Sequence, residues 1–106
     1  MTSFYLNKAR DQVSQDRFYL SHHAQIERGE EQISIDDIVE SIINGTVIET
    51  YPDDPRGESC LFSGQGKDKR WIHVLCGNFY EQYLLIITVY IPTQPKWIDP
   101  FTRRKK

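Results

Sequence analysis

Cysteine, long apolar runs and every common catalytic signature are scarce or missing in this chain, and each shortage closes off a class of protein. Two cysteines, Cys60 and Cys76, are too few for a disulfide scaffold and stand at no metal-binding spacing. They are expected to be small buried thiols of a reducing compartment. The longest apolar stretch, Tyr83 to Ile91, has nine residues, whereas a membrane-spanning helix needs about 20. Lys8, Arg10, Asp11, Asp16 and Arg17 interrupt the first 20 residues, so no signal peptide is expected there. No glycine-rich phosphate loop follows a strand, and neither a nucleophile elbow nor an HExxH helix appears. Gly64-Gln65-Gly66 is a hairpin glycine pair, not a phosphate cradle. Internal repeats and low-complexity segments are absent as well. A single cytoplasmic domain over residues 1–106, without cofactor or metal, is the expectation.

What is present suits a packed core. The 106 residues are 39% apolar and 26% charged, an ordinary globular balance. At this length roughly two-thirds of the unfolded surface can be buried without covalent staples. Trp71, Trp97, six tyrosines and five phenylalanines supply volume. Charge is lopsided: residues 1–58 carry 5 Lys/Arg against 12 Asp/Glu, and residues 59–106 carry 8 against 3. The balances of −7 and +5 sum to the net −2. Either the basic half meets an anion such as RNA, or Arg103-Arg104-Lys105-Lys106 is merely a solvated tail.

Periodicity changes midway along the chain. In residues 3–14, Leu6, Ala9, Arg10 and Val13 fall near helical spacing. Arg17 to Leu20 reads as an extended linker or edge strand. Ser21 stands where an N-cap belongs, ahead of a second helix beginning at His22-His23. Ser34 opens a third, with Asp36 and Asp37 at its positive end and Ile35, Ile38, Val39, Ile42 and Ile43 forming a buried stripe. Gly45, suited to a left-handed cap, is expected to stop it. Beyond it the period becomes 2. Val47, Glu49 and Tyr51 alternate against Thr46, Ile48 and Thr50, and residues 52–57 make a turn. Strands are expected at residues 59–63 and 70–76 and at Tyr83–Ile91, the last apolar on both faces and therefore central. Pro92 ends it. The predicted fold is α+β, with three short N-terminal helices packed on a four-stranded, mainly antiparallel sheet.

Four features can carry chemistry. His23, early in a helix, can move protons and sit beside an anion drawn to the helix start, or it can be merely structural. His73 lies on the strand face opposite Ile72 and Val74, with Trp71 beside it and Arg70 nearby. That face either stacks a base and contacts phosphate or is covered and becomes core. Glu27 and Glu31 share a helical face with His23, so Glu27 can hold its imidazole, or the row is a solvated face. Tyr90, Lys96, Trp97 and the basic tail at 102–106 form the fourth group. There Trp97 is expected to fold back onto the sheet, with the tail mobile or serving as an RNA arm.

The order Ser21-x-His23-Ala24, Ile33-Ser34-x-x-Asp37-Ile38, Gly45-x-Val47-Ile48-Glu49-x-Tyr51-Pro52, Ser59-Cys60-Leu61, His73-Val74, Ile87-Thr88-Val89-Tyr90 and Trp97 resembles the domain-of-unknown-function 4258 family of small bacterial proteins, over residues 17–98. Members of that family resemble RelE-like toxins of toxin–antitoxin systems. The resemblance implies a helix-packed antiparallel sheet and metal-independent RNA cleavage. It also implies a zinc-finger or helix-turn-helix antitoxin as partner. His23 and His73 would be the catalytic pair, Arg70, Trp71, Arg103 and Arg104 would contact RNA, and Glu27, Arg28 and Tyr90 would support them. Many members carry arginines where this chain has Glu27 and Glu31, and Arg28 points about 100° away around the helix. The departure implies a weakened or inactive toxin, or a non-catalytic module that docks a basic partner through its acidic helices.

Overall fold

The computed structural model describes residues 2–104. Helix α1 spans Thr2–Ser14, strand β1 Phe18–Leu20, α2 His22–Glu31 and α3 Ile35–Asn44. Strands β2 (Thr46–Tyr51), β3 (Ser59–Gln65), β4 (Trp71–Gly77) and β5 (Leu84–Tyr90) follow, and β6 (Trp97–Asp99) and β7 (Thr102–Arg103) close the chain. Among the described residues no helix is long and apolar enough to cross a membrane. The α+β architecture with three helices and a mostly antiparallel sheet matches the periodicity. The sheet has five strands rather than four, in the order β1-β5-β4-β3-β2. The extra member is β1, which pairs parallel to β5 with Phe18 opposite Leu84. Two helices separate β1 from the meander, and that crossover lets it enter alongside β5 in the same direction. With β1 beside it, β5 is an interior strand flanked by β1 and β4. Leu84, Ile86 and Val89 are buried, whereas Leu85, Ile87, Thr88 and Tyr90 are only half-buried.

Both helix starts are capped as the side chains dictate. Ser21 Oγ accepts the Ala24 amide at 3.0 Å and donates to the Ile87 carbonyl at 2.8 Å, tying α2 to β5. Ser34 and Asp37 form a reciprocal capping box. The Asp37 carboxylate also accepts the Lys67 amide at 2.9 Å, so one buried side chain starts α3 and clamps the β3–β4 hairpin. That hairpin is tighter than expected, because β3 runs on through Gly64 to Gln65.

Gly45 ends α3 for a reason other than a left-handed cap, its backbone being extended at φ −84° and ψ −177°. A β-carbon there would lie 2.2 Å from the Ser41 carbonyl oxygen and 2.7 Å from that of Ser63. Close approach of helix end to strand, not handedness, demands glycine.

The helices cover one face of the sheet. Tyr5, Ala9, Ala24, Ile38 and Ile42 pack there against Phe62, Ile72, Val74 and Ile86. Residues one step out of phase, Leu61, Ser63, His73 and Leu75, face the other way. Two bulges decide what joins them. In the β2–β3 ladder the register slips between Val47 and Glu49, so Val47 packs with the core while Glu49 pairs with Leu61 on the far face. In the β4–β5 ladder it slips between Leu75 and Cys76, after which Val89 pairs with Val74 and Tyr90 with His73. Strict alternation from Leu84 would have turned Tyr90 toward the helices; the bulge turns it to the far face.

Candidate active face of the sheet

That far face is covered by the β6–β7 hairpin rather than by helices. Trp97 is buried against it, and the His73 and Trp97 rings meet edge to face with centroids 4.3 Å apart. His73 is fully buried. Its Nε2 lies 2.6 Å from the Pro100 carbonyl, which can only accept, so Nε2 carries the proton. Nδ1 is therefore an acceptor and takes the Tyr90 hydroxyl at 3.1 Å. Ser63 Oγ donates to the same Pro100 carbonyl at 2.8 Å. Burial pushes the His73 pKa down, against the opposing pull of the Pro100 bond and Glu49. Burial likewise pushes the Tyr90 hydroxyl up. Both groups are held neutral, phenol donating to imidazole.

Beside this pair, Arg103 grips Glu49 with Nε at 3.0 Å and Nη2 at 2.8 Å and lies 4.6 Å from the centre of the Trp97 ring. The Tyr51 hydroxyl donates to the same carboxylate. The Arg103 fork holds the Glu49 pKa below its ordinary value. Burial and the bond to Glu49 push the Tyr51 hydroxyl up to about 12. An open concavity of about 740 Å³ lies over these groups, floored by Leu61, Leu75 and Thr88 and walled by Tyr51, Tyr90, Lys96, Arg103 and the 52–56 turn.

The structure does not bring the two expected catalytic histidines together. His23 lies exposed on α2, whose Ala24 packs into the helix-side core, and its Nε2 is 3.3 Å from Glu27 Oε2. Glu27 Oε1 accepts the Val89 amide at 3.1 Å. It thereby fills the edge of β5 where the short β1 has already ended, so the carboxylate has a structural task. Arg70 is equally occupied. Its guanidinium donates to the Glu31 and Gln32 carbonyls at 2.8 and 2.7 Å, closing the end of α2, and its Nε meets Asp68. Arg28 donates to Gln25 and to the Ile33 carbonyl. Trp71 is half-buried against Phe101.

The expected mobile tail is corrected as far as Arg104. Arg103 is docked, and the Arg104 amide donates to the Lys96 carbonyl at 2.8 Å. Lys105 and Lys106 lie outside the described residues. The sequence marks Glu49 and Tyr51 as site residues only by their i, i+2 spacing on one strand face. Ser63 and the Pro100 carbonyl carry no comparable mark. Among the described residues no group of three or more His, Cys, Asp or Glu side chains gathers as a metal site.

The fold and this face define a small α+β domain whose sheet is buried by helices on one side and carries a hairpin-covered polar site on the other. The chain belongs to the family described as Domain of unknown function (DUF4258), whose profile matches residues 20–91. No curated protein and no solved structure matches it.

Proposed function

We propose that the chain is a toxin-like endoribonuclease of the RelE-like kind, working without a metal and at low rate through the hairpin-covered face of its sheet. The observation that carries this reading is the line Tyr90 hydroxyl, His73 imidazole, Pro100 carbonyl, which begins at a residue lining the concavity. RNA cleavage through the ribose 2′-hydroxyl needs a base, an acid and positive charge for the phosphate. Tyr90 meets the ribose. It takes the 2′-hydroxyl proton while passing its own to His73 Nδ1, and the 2′-oxygen attacks phosphorus. The imidazolium so formed donates through Nε2 to Pro100, the departing 5′-oxygen takes a proton from water, and the hydroxide left behind removes the proton of His73 Nδ1 through Tyr90, restoring the neutral pair. Lys96 and Arg103 flank the phosphate. Tyr51 offers a ring on which a base can stack.

The same environment explains a low rate. Burial moves the pKa values of Tyr90 and His73 apart, in the direction that opposes transfer from phenol to imidazole. Arg103 is already engaged by Glu49. His23 has no part in this scheme. A cytoplasmic setting and an antitoxin partner of zinc-finger or helix-turn-helix type belong to the same proposal.

Purified protein should cut single-stranded RNA in EDTA, and Tyr90→Phe, which keeps the ring, should slow cutting by about a hundredfold, in the range of a lost proton-transfer group. Full activity in Tyr90→Phe would show that the relay is misassigned.

A second reading rests on a separate observation. Glu30, Glu31 and Asp36 are exposed on α2 and α3 and form no ion pair among the described residues. A wild-type protein that neither cuts nor binds RNA, yet is captured by a basic partner and loses it on Glu30→Lys and Glu31→Lys, would be the docking module instead.

A further inference from the structure

We propose that the β6–β7 hairpin is a displaceable strap that holds the site in a restrained state, and that lifting it frees His73, Ser63 and Glu49 on the sheet face. The inference rests on the ribonuclease reading and adds its regulation.

Three independent features point to a strap. The first is where the hairpin sits in the chain. His73, Ser63, Glu49 and Tyr90 all fall inside the family match of residues 20–91, whereas Trp97 to Arg103 fall outside it. The groups that would do the chemistry lie within the matched residues, and the segment that covers them follows them in the chain.

The second is what the hairpin takes. Its Pro100 carbonyl occupies His73 Nε2 and Ser63 Oγ together. Its Arg103 occupies both oxygens of Glu49. Each contact satisfies a polar group that would otherwise face solvent or substrate, so the hairpin stands where a ligand would stand. Arg103 is spent on an internal carboxylate in place of a phosphate.

The third is how lightly the hairpin is held. It is not a member of the five-stranded sheet, and β6 and β7 pair only with each other. Of residues 97–103 only Trp97 is buried, while Ile98 and Phe101 stay about half exposed. Segments with few buried contacts open locally without unfolding the remainder. Opening would hydrate His73, let it act directly as a base, and release Arg103.

The test uses the full chain with Trp97→Ala, which removes the anchor, and Ser63→Ala, a milder change that removes one of the two bonds to Pro100. Each is read by the NMR titration of the His73 ring and by cleavage of single-stranded RNA in EDTA. Circular dichroism verifies the fold. The expected result is that the His73 midpoint moves up toward that of an ordinary imidazole and that cleavage rises about tenfold in Trp97→Ala, less in Ser63→Ala, as a shift in an opening equilibrium requires. If Trp97→Ala does not fold, Ser63→Ala carries the same expectation in the same direction. A His73 midpoint that rises while cleavage stays level or falls would sink the strap and leave the ribonuclease reading intact. A His73 midpoint that does not move in either folded variant sinks it too. No cleavage by wild type or by either variant would sink both.

Discussion

A β-carbon added to Gly64 would sit 2.0 Å from the Ser41 carbonyl oxygen and 2.9 Å from the Gly45 α-carbon. Neither obstacle is the flexible end of a side chain, so neither can step aside. Gly64→Ala should therefore cost more than about 3 kcal/mol, at or beyond the upper end for overpacking a tight site. Gly29 is the control. It lies within α2 with nothing within 4 Å of its added β-carbon, so Gly29→Ala should stabilise by about 0.5–1 kcal/mol through helix propensity. Thermal or urea midpoints decide both. Equal effects of the two substitutions would mean that the approach of α3 to β3 is looser than described. Both glycines were visible in the sequence, but glycine is compatible with handedness and with proximity alike. Only a neighbour from another part of the chain distinguishes them.

Capping was legible because it is local. Ser21 and Ser34 each meet an amide three residues ahead, a distance that spacing alone encodes. The second task of Asp37 was not legible, since the Lys67 and Asp68 amides come from about thirty residues further on. Burial pushes the Asp37 carboxyl up, and the bonds from Ser34, Asp68 and Lys67 outweigh it, leaving its pKa below the ordinary value. Asp37→Ala removes the reciprocal half of the capping box and strands the Ser34, Lys67 and Asp68 amides. It should cost about 2–3 kcal/mol, more than the roughly 1 kcal/mol of a cap alone. A loss no larger than that of Ser34→Ala would show that the hairpin does not depend on this carboxylate. The bulges belong to the same scale. Period 2 assigned Val47, Glu49 and Tyr51 to one face, and one extra residue in the ladder sent Val47 to the other. Nothing local in the sequence marks such an insertion, because the partner strand sets the register.

Across the whole molecule, the meander and the hairpin close on His73 from two sides. Tyr90, Trp97, Ser63 and the Pro100 carbonyl surround it, with Glu49 and Arg103 nearby. Burial lowers its folded pKa below the ordinary 6.5. In the unfolded chain the imidazole protonates near 6.5, whereas in the folded chain it does so only at lower pH. The unfolded state therefore binds the proton first, and stability falls as pH drops below about 6.5. Glu49 and Asp37, with lowered pKa values, contribute in the same direction but only at the more acidic pH of carboxylate titration. The urea midpoint of the wild type should fall between about pH 8 and about pH 5.5, above the ordinary carboxylate range. His73→Gln should lose most of that dependence while being less stable throughout. An unchanged pH profile in His73→Gln would mean that His73 is hydrated and the hairpin does not cover it.

The sequence by itself determined the class of fold, the helix starts, the change of period at Gly45 and the burial of Trp97. These follow from spacing within a single segment, where the interacting groups are neighbours along the chain. Three-dimensional packing decided the rest: that β1 joins the sheet in parallel, that a bulge aims Tyr90 at His73, that Arg70 and Glu27 serve the backbone, and that Arg103 grips Glu49 over the sheet. Each of those pairs residues 38 to 62 positions apart or depends on the register between strands. Such choices are settled by which alternative contacts compete in the folded chain, and a linear pattern holds no record of that competition.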